Sequence, residues 1–281
     1  MTGPEFLSVN EVSRHFGGHK AVDGVSLRLR QGALAAVIGP NGAGKTTLFN
    51  LIAGALPPTS GQVVFRGARV SGPERASKLG IARTFQNARL FQELSVLENV
   101  AIGLGGLSFW RGSLRLPRWV EAERLRLKRA YYLLEDVGLG HLAGQPAGEI
   151  AFGQQRLVEF ARAMALQPKL LLLDEPAAGL NATETAELGK LIRRIHESGV
   201  TILLVEHDMS LVMGLAERVI VLDRGQQLAD GAPSEVRANP AVCAAYLGGT
   251  PGQGDADHAV ARASCPRAPG GTPDQGETGH A

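Results

Sequence analysis

The chain of 281 residues has little of several features that are typical of other classes of protein. Its two cysteines, Cys243 and Cys265, are too few for a disulfide framework or a cysteine-rich metal site. Its 29 basic and 27 acidic residues leave a net charge of +2, so we expect no nucleic-acid partner. Its longest apolar runs, such as residues 33–38 and 170–173, are far shorter than the roughly 20 residues of a membrane-spanning helix. If the protein acts at a membrane, we expect another chain to cross it.

Glycine, in contrast, is abundant, with 36 of the 281 residues, or nearly twice its usual share of about 7%. Eight of these glycines lie in residues 248–281, together with four prolines and without any Leu, Ile, Phe, Tyr or Trp. Such a segment buries too little apolar surface to offset its chain entropy. We therefore predict a disordered tail over 248–281 that follows a folded body over 1–247.

The sequence of the body, residues 1–247, predicts an α/β fold. Strand-like apolar runs occur at residues 6–9, 25–30, 33–38, 62–65, 81–85, 170–173, 201–205 and 219–222. Continuous apolar runs suit strands that are buried on both faces of a mostly parallel sheet. Between about 95 and 166 the pattern becomes helical, with Leu127, Ala130, Leu134 and Val137 on one face. The sequence thus predicts an α/β core that is interrupted by a helical insertion.

The clearest motif is a glycine-rich phosphate loop between an apolar strand and a helix. It matches the pattern G-x-x-x-x-G-K-[ST] with Gly39, Pro40, Asn41, Gly42, Ala43, Gly44, Lys45, Thr46 and Thr47. Its glycines allow backbone N–H groups to curve around phosphate oxygens, and the helix N-terminus adds a positive dipole end. We expect Lys45 to reach the β- and γ-phosphates and the Thr46 hydroxyl to ligate Mg²⁺. The motif predicts a nucleotide site.

A second motif places two acids at the end of a buried strand, in the run Leu-Leu-Leu-Leu-Asp-Glu-Pro over residues 170–176. Beside a phosphate loop, the first acid, Asp174, is suited to hold Mg²⁺. The next, Glu175, is then placed to orient or deprotonate the attacking water. The two motifs together indicate a site that binds a nucleotide with Mg²⁺ and hydrolyses it.

Between these motifs, the stretch IAFGQQR over residues 150–156 resembles the signature loop of the ATP-binding subunits of ABC transporters, usually LSGGQ. The resemblance spans residues 5–247. The stretches RTFQ (83–86), DEPAAGLN (174–181), EHDM (206–209) and AYLG (245–248) are similar to the ATPases of branched-chain amino-acid importers. The resemblance implies a P-loop NTPase (RecA-like) core with a mostly parallel sheet, an N-terminal antiparallel β region and a helical subdomain. The core would cover about 1–92 and 160–247, and the helical subdomain about 93–159.

The resemblance also implies roles for single residues. Phe16 corresponds to the aromatic residue that stacks on adenine, and Gln86 to the glutamine that contacts Mg²⁺ or water and relays to the membrane partner. His207 corresponds to the histidine that contacts the γ-phosphate. Gly153 and Gln154 would complete the ATP site of a facing protomer, so that two ATP molecules lie between two ATPase subunits.

Two positions depart from the commonest family pattern. Ala151 replaces the signature serine, and Asn181 replaces the aspartate that often follows the acidic strand. The Asn181 amide can still hydrogen-bond across an interface but carries no charge. Because Lys45, Asp174, Glu175 and His207 are all present, we expect hydrolysis to survive.

The implied partners are a second ATPase protomer, identical or related, transmembrane permease subunits and, indirectly, a solute-binding protein. The implied location is peripheral, at the cytoplasmic face of the inner (plasma) membrane. Alternatives that stay open are the ATPase of a urea or amide importer or of a lipopolysaccharide exporter, or a soluble ABC ATPase that acts on DNA or ribosomes. Residues 109–132, with two tryptophans and seven basic residues, fit either a contact with a membrane or permease or an ordinary solvated helix face.

Overall fold

The apolar runs of the sequence form the strands of two sheets in the computed structural model, which describes residues 5–84, 90–105 and 117–247. The strands are β1 (Leu7–Phe16), β2 (His19–Leu29), β3 (Leu34–Ile38), β4 (Ser60–Phe65), β5 (Ala68–Arg69), β6 (Ile81–Arg83), β7 (Leu170–Asp174), β8 (Thr201–Val205), β9 (Arg218–Asp223) and β10 (Gln226–Gly231). The predicted tail, 248–281, lies outside the described residues.

The helices surround these sheets. They are α1 (Lys45–Ile52), α2 (Pro73–Leu79), α3 (Val96–Gly103), α4 (Pro117–Asp136), α5 (Phe152–Ala165), α6 (Ala182–Glu197), α7 (Met209–Leu215), α8 (Pro233–Ala238) and α9 (Pro240–Leu247), with a 3₁₀ helix at Gly140–Leu142. No helix among the described residues combines the length and apolar character needed to cross a membrane.

The larger sheet has six strands in the order β10-β9-β3-β8-β7-β6. Its strands are parallel except β10, which pairs antiparallel with β9. The smaller sheet, in the order β2-β1-β4-β5, is antiparallel. The structure therefore confirms the predicted α/β fold, with a mostly parallel sheet and an antiparallel region built largely from the N-terminal part of the chain.

Both faces of the larger sheet are buried, which explains its continuous apolar runs. On β3, Ala35 and Val37 pack into a cluster with the antiparallel sheet and α1, whereas Ala36 and Ile38 pack into a cluster on the opposite face with α6. Because successive side chains of a strand point to opposite faces, a strand between two layers must be apolar throughout.

The first hairpin corrects the predicted strand bounds. Strands were expected at 6–9 and 25–30, but β1 continues to Phe16 and β2 already begins at His19. The pairing has register shifts between Val9 and Val12, and Glu11 has φ +45°. These irregularities break the alternation of apolar and polar residues, so the pattern did not reveal the outer half of the hairpin.

A third apolar cluster lies among α3, α4 and α5, within the predicted helical insertion. Helix α5 contributes Val158 and Ala161 to this cluster, and Phe160 and Ala163 to the cluster beneath the larger sheet. The boundary predicted near residue 159, between the helical subdomain and the core, thus falls inside α5, and this helix packs against both apolar clusters. The bounds of the subdomains stay a prediction.

Within residues 109–132, the described part shows contacts of an ordinary helix. The guanidinium of Arg126 donates to the Ala101 carbonyl oxygen at 2.9 Å, and the Lys128 ammonium lies 5.7 Å from the centre of the Tyr132 ring. Trp110 lies outside the described residues, as does the side chain of Trp119. These contacts leave both interpretations of the segment open.

Candidate nucleotide-binding site

The carboxyl ends of neighbouring parallel strands bring the predicted site residues to one edge of the larger sheet. The phosphate loop follows β3, His207 lies just after β8, and Asp174 ends β7 with Glu175 directly after it. Strand β8 lies between β3 and β7, with Val205 paired to Val37 on one side and to Asp174 on the other. Ligands of open α/β sheets bind at such an edge, outside the carboxyl ends of the strands.

Two glycines of the phosphate loop are required by close backbone contacts. A Cβ atom on Gly39 would lie 2.1 Å from the Leu222 carbonyl oxygen, and one on Gly44 would lie 2.2 Å from the Ala21 carbonyl oxygen. Gly44, which precedes α1, also has φ +98°, a conformation that favours glycine. The loop therefore lies between β2 and the end of β9, and its last glycine, Gly44, leads directly into α1.

Lys45 lies along this loop, with its side chain almost fully buried at 7% exposure. Its Nζ donates to the carbonyl oxygens of Gly39, at 2.6 Å, and Pro40, at 3.1 Å. The ammonium is therefore held inside the curve of the loop, where a phosphate group would meet it. Of the other loop residues, Ala43 is buried, Pro40 and Thr47 are partly exposed, and Asn41, Gly42 and Thr46 are exposed.

Asp174 is buried at the end of β7 and forms an ion pair across the sheet. Its Oδ2 accepts a hydrogen bond of 2.6 Å from the Nη2 atom of Arg83, whose Nη1 donates to the Asn50 side chain on α1. The two charged side chains are 3% and 10% exposed. Arg83 therefore joins the helix of the phosphate loop to the strand of the predicted Mg²⁺ ligand.

Glu175 has the strained left-handed backbone conformation, with φ +46°. Non-glycine residues in this region cost free energy and cluster at functional sites. Its N–H donates to the Val205 carbonyl oxygen at 2.9 Å, and its side chain is partly exposed. His207, after β8, is exposed. Both side chains are therefore accessible to solvent at the sheet edge that carries the phosphate loop.

The chemistry of the donors at this edge fits Mg²⁺, which binds one or two protein oxygens and completes its shell with phosphates and water. Thr46 offers a hydroxyl and Asp174 a carboxylate. Among the described residues there is no cluster of three or more His, Cys, Asp or Glu side chains that could hold a metal by itself. Gln86, the third predicted ligand, lies outside the described residues.

The signature stretch forms the start of α5 and packs on the loop that follows β7. The side chain of Gln154 accepts a hydrogen bond of 3.0 Å from the N–H of Ala151, the N-cap residue. This is the half of a capping box that the third helical residue supplies, and alanine has no side-chain oxygen to supply the other half. A Cβ atom on Gly153 would lie 2.7 Å from Oε1 of Glu184, on α6. The structure thus places Gly153 and Gln154 beside α6 of the same chain, and their predicted role toward a facing protomer stays a prediction.

Asn181 caps the N-terminus of α6. Its Oδ1 accepts hydrogen bonds of 3.0 Å from the N–H groups of both Thr183 and Glu184, while the Glu184 carboxylate accepts from the Asn181 N–H at 2.9 Å. This reciprocal pattern is a capping box. It explains why an amide is tolerated at this position, whereas the predicted contact across an interface stays a prediction.

Phe16, the predicted adenine-stacking residue, ends β1 and is 46% exposed. The guanidinium carbon of Arg14 lies 4.6 Å from the centre of the Phe16 ring. An exposed ring with a cation against it is compatible with stacking on a base. Its role stays a prediction.

Two charged residues of the site, Arg83 and Glu206, were given no role from the sequence. Both lie in stretches that carry the family resemblance, and both stand at the carboxyl end of a strand, as Asp174 does. Glu206 is 1% exposed, and its Oε1 accepts a hydrogen bond of 2.8 Å from the Ala177 N–H. Burial raises the pKa of Glu206, against the opposite effect of nearby backbone amides and His207. Their position after apolar strands could have placed them at this sheet edge, but it does not identify their partners.

Comparisons with known proteins agree with this geometry. A family model described as "ABC transporter" matches residues 22–178, and one described as "Branched-chain amino acid ATP-binding cassette transporter" matches residues 226–250. The high-affinity branched-chain amino acid transport ATP-binding protein LivG of Salmonella typhimurium is 44% identical over 248 residues, which cover 86% of this chain and 97% of LivG.

Two solved structures have the same fold. A nucleotide-free ATP-binding cassette from an ABC transporter matches with a TM-score of 0.77 and 32% identity, over 87% of this chain and 100% of that chain. A dimeric ATP-binding cassette in a post-hydrolysis state, bound to ADP and Pi, matches with a TM-score of 0.69 and 26% identity, over 81% and 98%. With its phosphate loop and acidic strand end at one sheet edge, the chain belongs to the ABC transporter family, as one of its ATP-binding cassettes.

Proposed function

We propose that this chain is the ATP-hydrolysing subunit of an importer of branched-chain amino acids, whose membrane path is formed by separate permease subunits. The observation that carries the proposal is the meeting of the phosphate loop, the acidic pair and His207 at one sheet edge. The substrate class is supported by the likeness to LivG and by the family match at residues 226–250.

In the proposed reaction, the phosphate loop binds ATP through its backbone N–H groups, and Lys45 contacts the β- and γ-phosphates. Glu175 orients a water molecule and takes its proton as the oxygen attacks the γ-phosphorus. The bond between the γ-phosphorus and its bridging oxygen breaks, so that ADP and phosphate leave. His207 contacts the γ-phosphate. Mg²⁺, held by Thr46, Asp174 and Gln86, would neutralise developing charge on the phosphates.

We further propose that the active form is a dimer of two cassettes, in which Gly153, Gln154 and Asn181 of one protomer approach the ATP of the other. The dimeric ATP-binding cassette bound to ADP and Pi supports this arrangement. Phe16 would stack on adenine within its own protomer. The subunit would bind permeases peripherally, at the cytoplasmic face of the membrane. ATP then shifts an equilibrium between open and closed dimers by binding the closed form more tightly.

The substitution Glu175→Gln tests the assignment of the general base. It removes the proton acceptor but keeps the size of the side chain, so ATP binding should persist while hydrolysis falls by at least about 100-fold. Size-exclusion chromatography with ATP should then show a stable dimer. Normal turnover by the variant would remove Glu175 from its proposed role. The matched control Glu187→Gln, on the exposed face of α6, should turn over normally.

The solute is tested separately by reconstituting the chain with its co-purifying permeases and binding protein in vesicles. ATP-dependent uptake of labelled leucine, isoleucine and valine is the expected result. Uptake of urea or an amide, or export of lipopolysaccharide, would overturn the substrate class but not the ATPase activity. Co-purification with ribosomes or DNA in place of permeases would overturn the transport role.

A further inference from the structure

Glu206 is a buried carboxylate that the proposed hydrolysis does not use. It lies directly after β8 and directly before His207, with 1% of its surface exposed. A charge is expensive to bury unless its oxygens are hydrogen-bonded, and an apolar side chain at this position would avoid that cost. A carboxylate at this buried position is therefore expected to maintain a specific arrangement of its hydrogen-bond partners.

The two oxygens of Glu206 accept hydrogen bonds from two different loops. Oε1 accepts from the Ala177 N–H at 2.8 Å, and Ala177 lies two residues after Glu175. Oε2 accepts from the N–H of His207 at 3.2 Å. One side chain thus joins the loop of the proposed general base to the loop of the proposed γ-phosphate contact.

A backbone contact extends the same connection on the side of β8. The N–H of Glu175 donates to the Val205 carbonyl oxygen at 2.9 Å, immediately before Glu206. Glu175 itself has φ +46°, so its side chain can be aimed correctly only while its neighbours hold this strained backbone. Loss of the hydrogen bond between Glu206 and the Ala177 N–H would remove one of the contacts that hold the loop of Glu175 in place.

We propose that Glu206 is a positioning residue for ATP hydrolysis, which fixes the loop of Glu175 against the loop of His207 so that both side chains meet the γ-phosphate together. The inference rests on the proposed function, because it takes the roles of Glu175 and His207 from it. In this role Glu206 acts through the two loops that it joins and not by contact with ATP.

The variants Glu206→Gln and Glu206→Asp test this role in the full chain. In Glu206→Gln the side-chain shape persists, but its NH₂ group faces one of the two backbone N–H donors and cannot accept from it. A displaced catalytic group costs roughly 10- to 100-fold in rate, so kcat should fall by at least about tenfold. The Kd of the protein for a fluorescent ATP analogue should stay within about twofold, because the phosphate loop is unchanged.

Amide hydrogen exchange measures directly whether the side chain at position 206 still holds the backbone N–H groups of the two loops. In Glu206→Gln, the N–H of Ala177 or of His207, whichever faces the NH₂ group, should exchange faster than in the unaltered protein, while N–H groups in β3 keep their protection. Glu206→Asp keeps the charge with a shorter reach. It should therefore show a loss of protection at Ala177 or His207 and the same fall in kcat, since position and not charge alone is required.

The matched control is Glu235→Gln. The Glu235 carboxylate also accepts a backbone N–H, from Ala232 at 2.8 Å, but at the exposed start of α8. Its kcat and KM should stay within about twofold of those of the unaltered protein, because glutamine also serves in a capping box.

Three outcomes would overturn the proposal. One is normal kcat in a folded Glu206→Gln protein, and another is unchanged exchange rates at both Ala177 and His207. The third is a parallel loss of kcat, ATP affinity and melting temperature, which would make the role purely structural. Failure of the proposed function is distinguishable, because Glu175→Gln would then also turn over normally, whatever happens at Glu206.

Discussion

Arg83 and Glu206 are charged side chains that the fold places almost out of contact with solvent. Arg83 pairs with Asp174, which is 91 positions later in the chain, and Glu206 bonds the backbone of Ala177, 29 positions earlier. Removing one partner of the Arg83–Asp174 pair leaves an uncompensated buried charge, and removing Glu206 leaves the N–H of Ala177 without this acceptor, both of which are unfavourable. Their importance therefore depends on partners distant in sequence, which a local pattern does not reveal.

The stability of the protein should depend on pH through Glu206. Because burial raises the pKa of Glu206, the folded chain holds this proton more tightly than the unfolded chain does. The resulting stabilisation is fully present below the unfolded pKa, of about 4.3, and is lost as pH rises through the raised folded pKa. The glutamine of Glu206→Gln does not titrate. The free energy of unfolding of the unaltered protein minus that of Glu206→Gln should therefore decrease with rising pH.

Urea denaturation at a series of pH values measures this difference. Taking the difference between the two proteins removes the contributions of the other acids, which both proteins share. A difference that stays constant, or that increases with pH, would contradict a raised pKa for Glu206.

Helix α3 illustrates how packing between elements overrides helix propensity. Gly103, its last residue, faces α5, where an added Cβ atom would lie 2.3 Å from the Arg162 carbonyl oxygen and 2.8 Å from the Ala165 Cβ atom. Gly214 lies in α7 with no atom within 4 Å of an added Cβ. Neither glycine has a positive φ, so both backbones would accept alanine.

The two glycines should therefore respond to alanine with opposite signs. Gly214→Ala should stabilise the protein by up to about 1 kcal/mol, because alanine is the better helix former. Gly103→Ala should destabilise it by about 1–3 kcal/mol, because the contact between α3 and α5 must open. Chemical denaturation of both variants checks the prediction. Equal effects of the same sign would show that propensity alone decides.

The elements themselves differed in how well the sequence predicted them. Strands β3, β7 and β8 were located closely, because a strand buried on both faces is a continuous apolar run. The hairpin of β1 and β2 was predicted only at its base, since bulges interrupt its pattern. Strand β10 was not predicted, because it is a polar edge strand without fully buried residues.

For the molecule as a whole, bound nucleotide should raise the melting temperature. A ligand at 100 times its Kd stabilises the folded state by about 2.7 kcal/mol. Lys45→Ala removes the ammonium held against Gly39 and Pro40, so it should abolish most of this shift with a non-hydrolysable ATP analogue and Mg²⁺. The control Lys190→Ala, at an exposed lysine of α6, should retain the full shift.

Differential scanning fluorimetry with and without the analogue provides the measurement. A shift of the same size in Lys45→Ala would contradict the role of Lys45 in binding phosphate. Omitting Mg²⁺ should reduce the shift of the unaltered protein, because Thr46 and Asp174 then lose the ion that they would share with the phosphates.

The sequence by itself determined the chemistry of the protein, since the phosphate loop, the acidic pair and the family resemblance lie within short stretches of chain. It also determined the α/β class, because burial on both faces leaves a local apolar signature. Only the tertiary structure decided which charged residues support that chemistry. The strand order brings residues 83, 174 and 206 to one sheet edge, and a local pattern contains no information on such distant neighbours. The tertiary structure also assigned the Asn181 oxygen to the cap of α6 and the Gln154 side chain to the start of α5, because capping depends on backbone geometry.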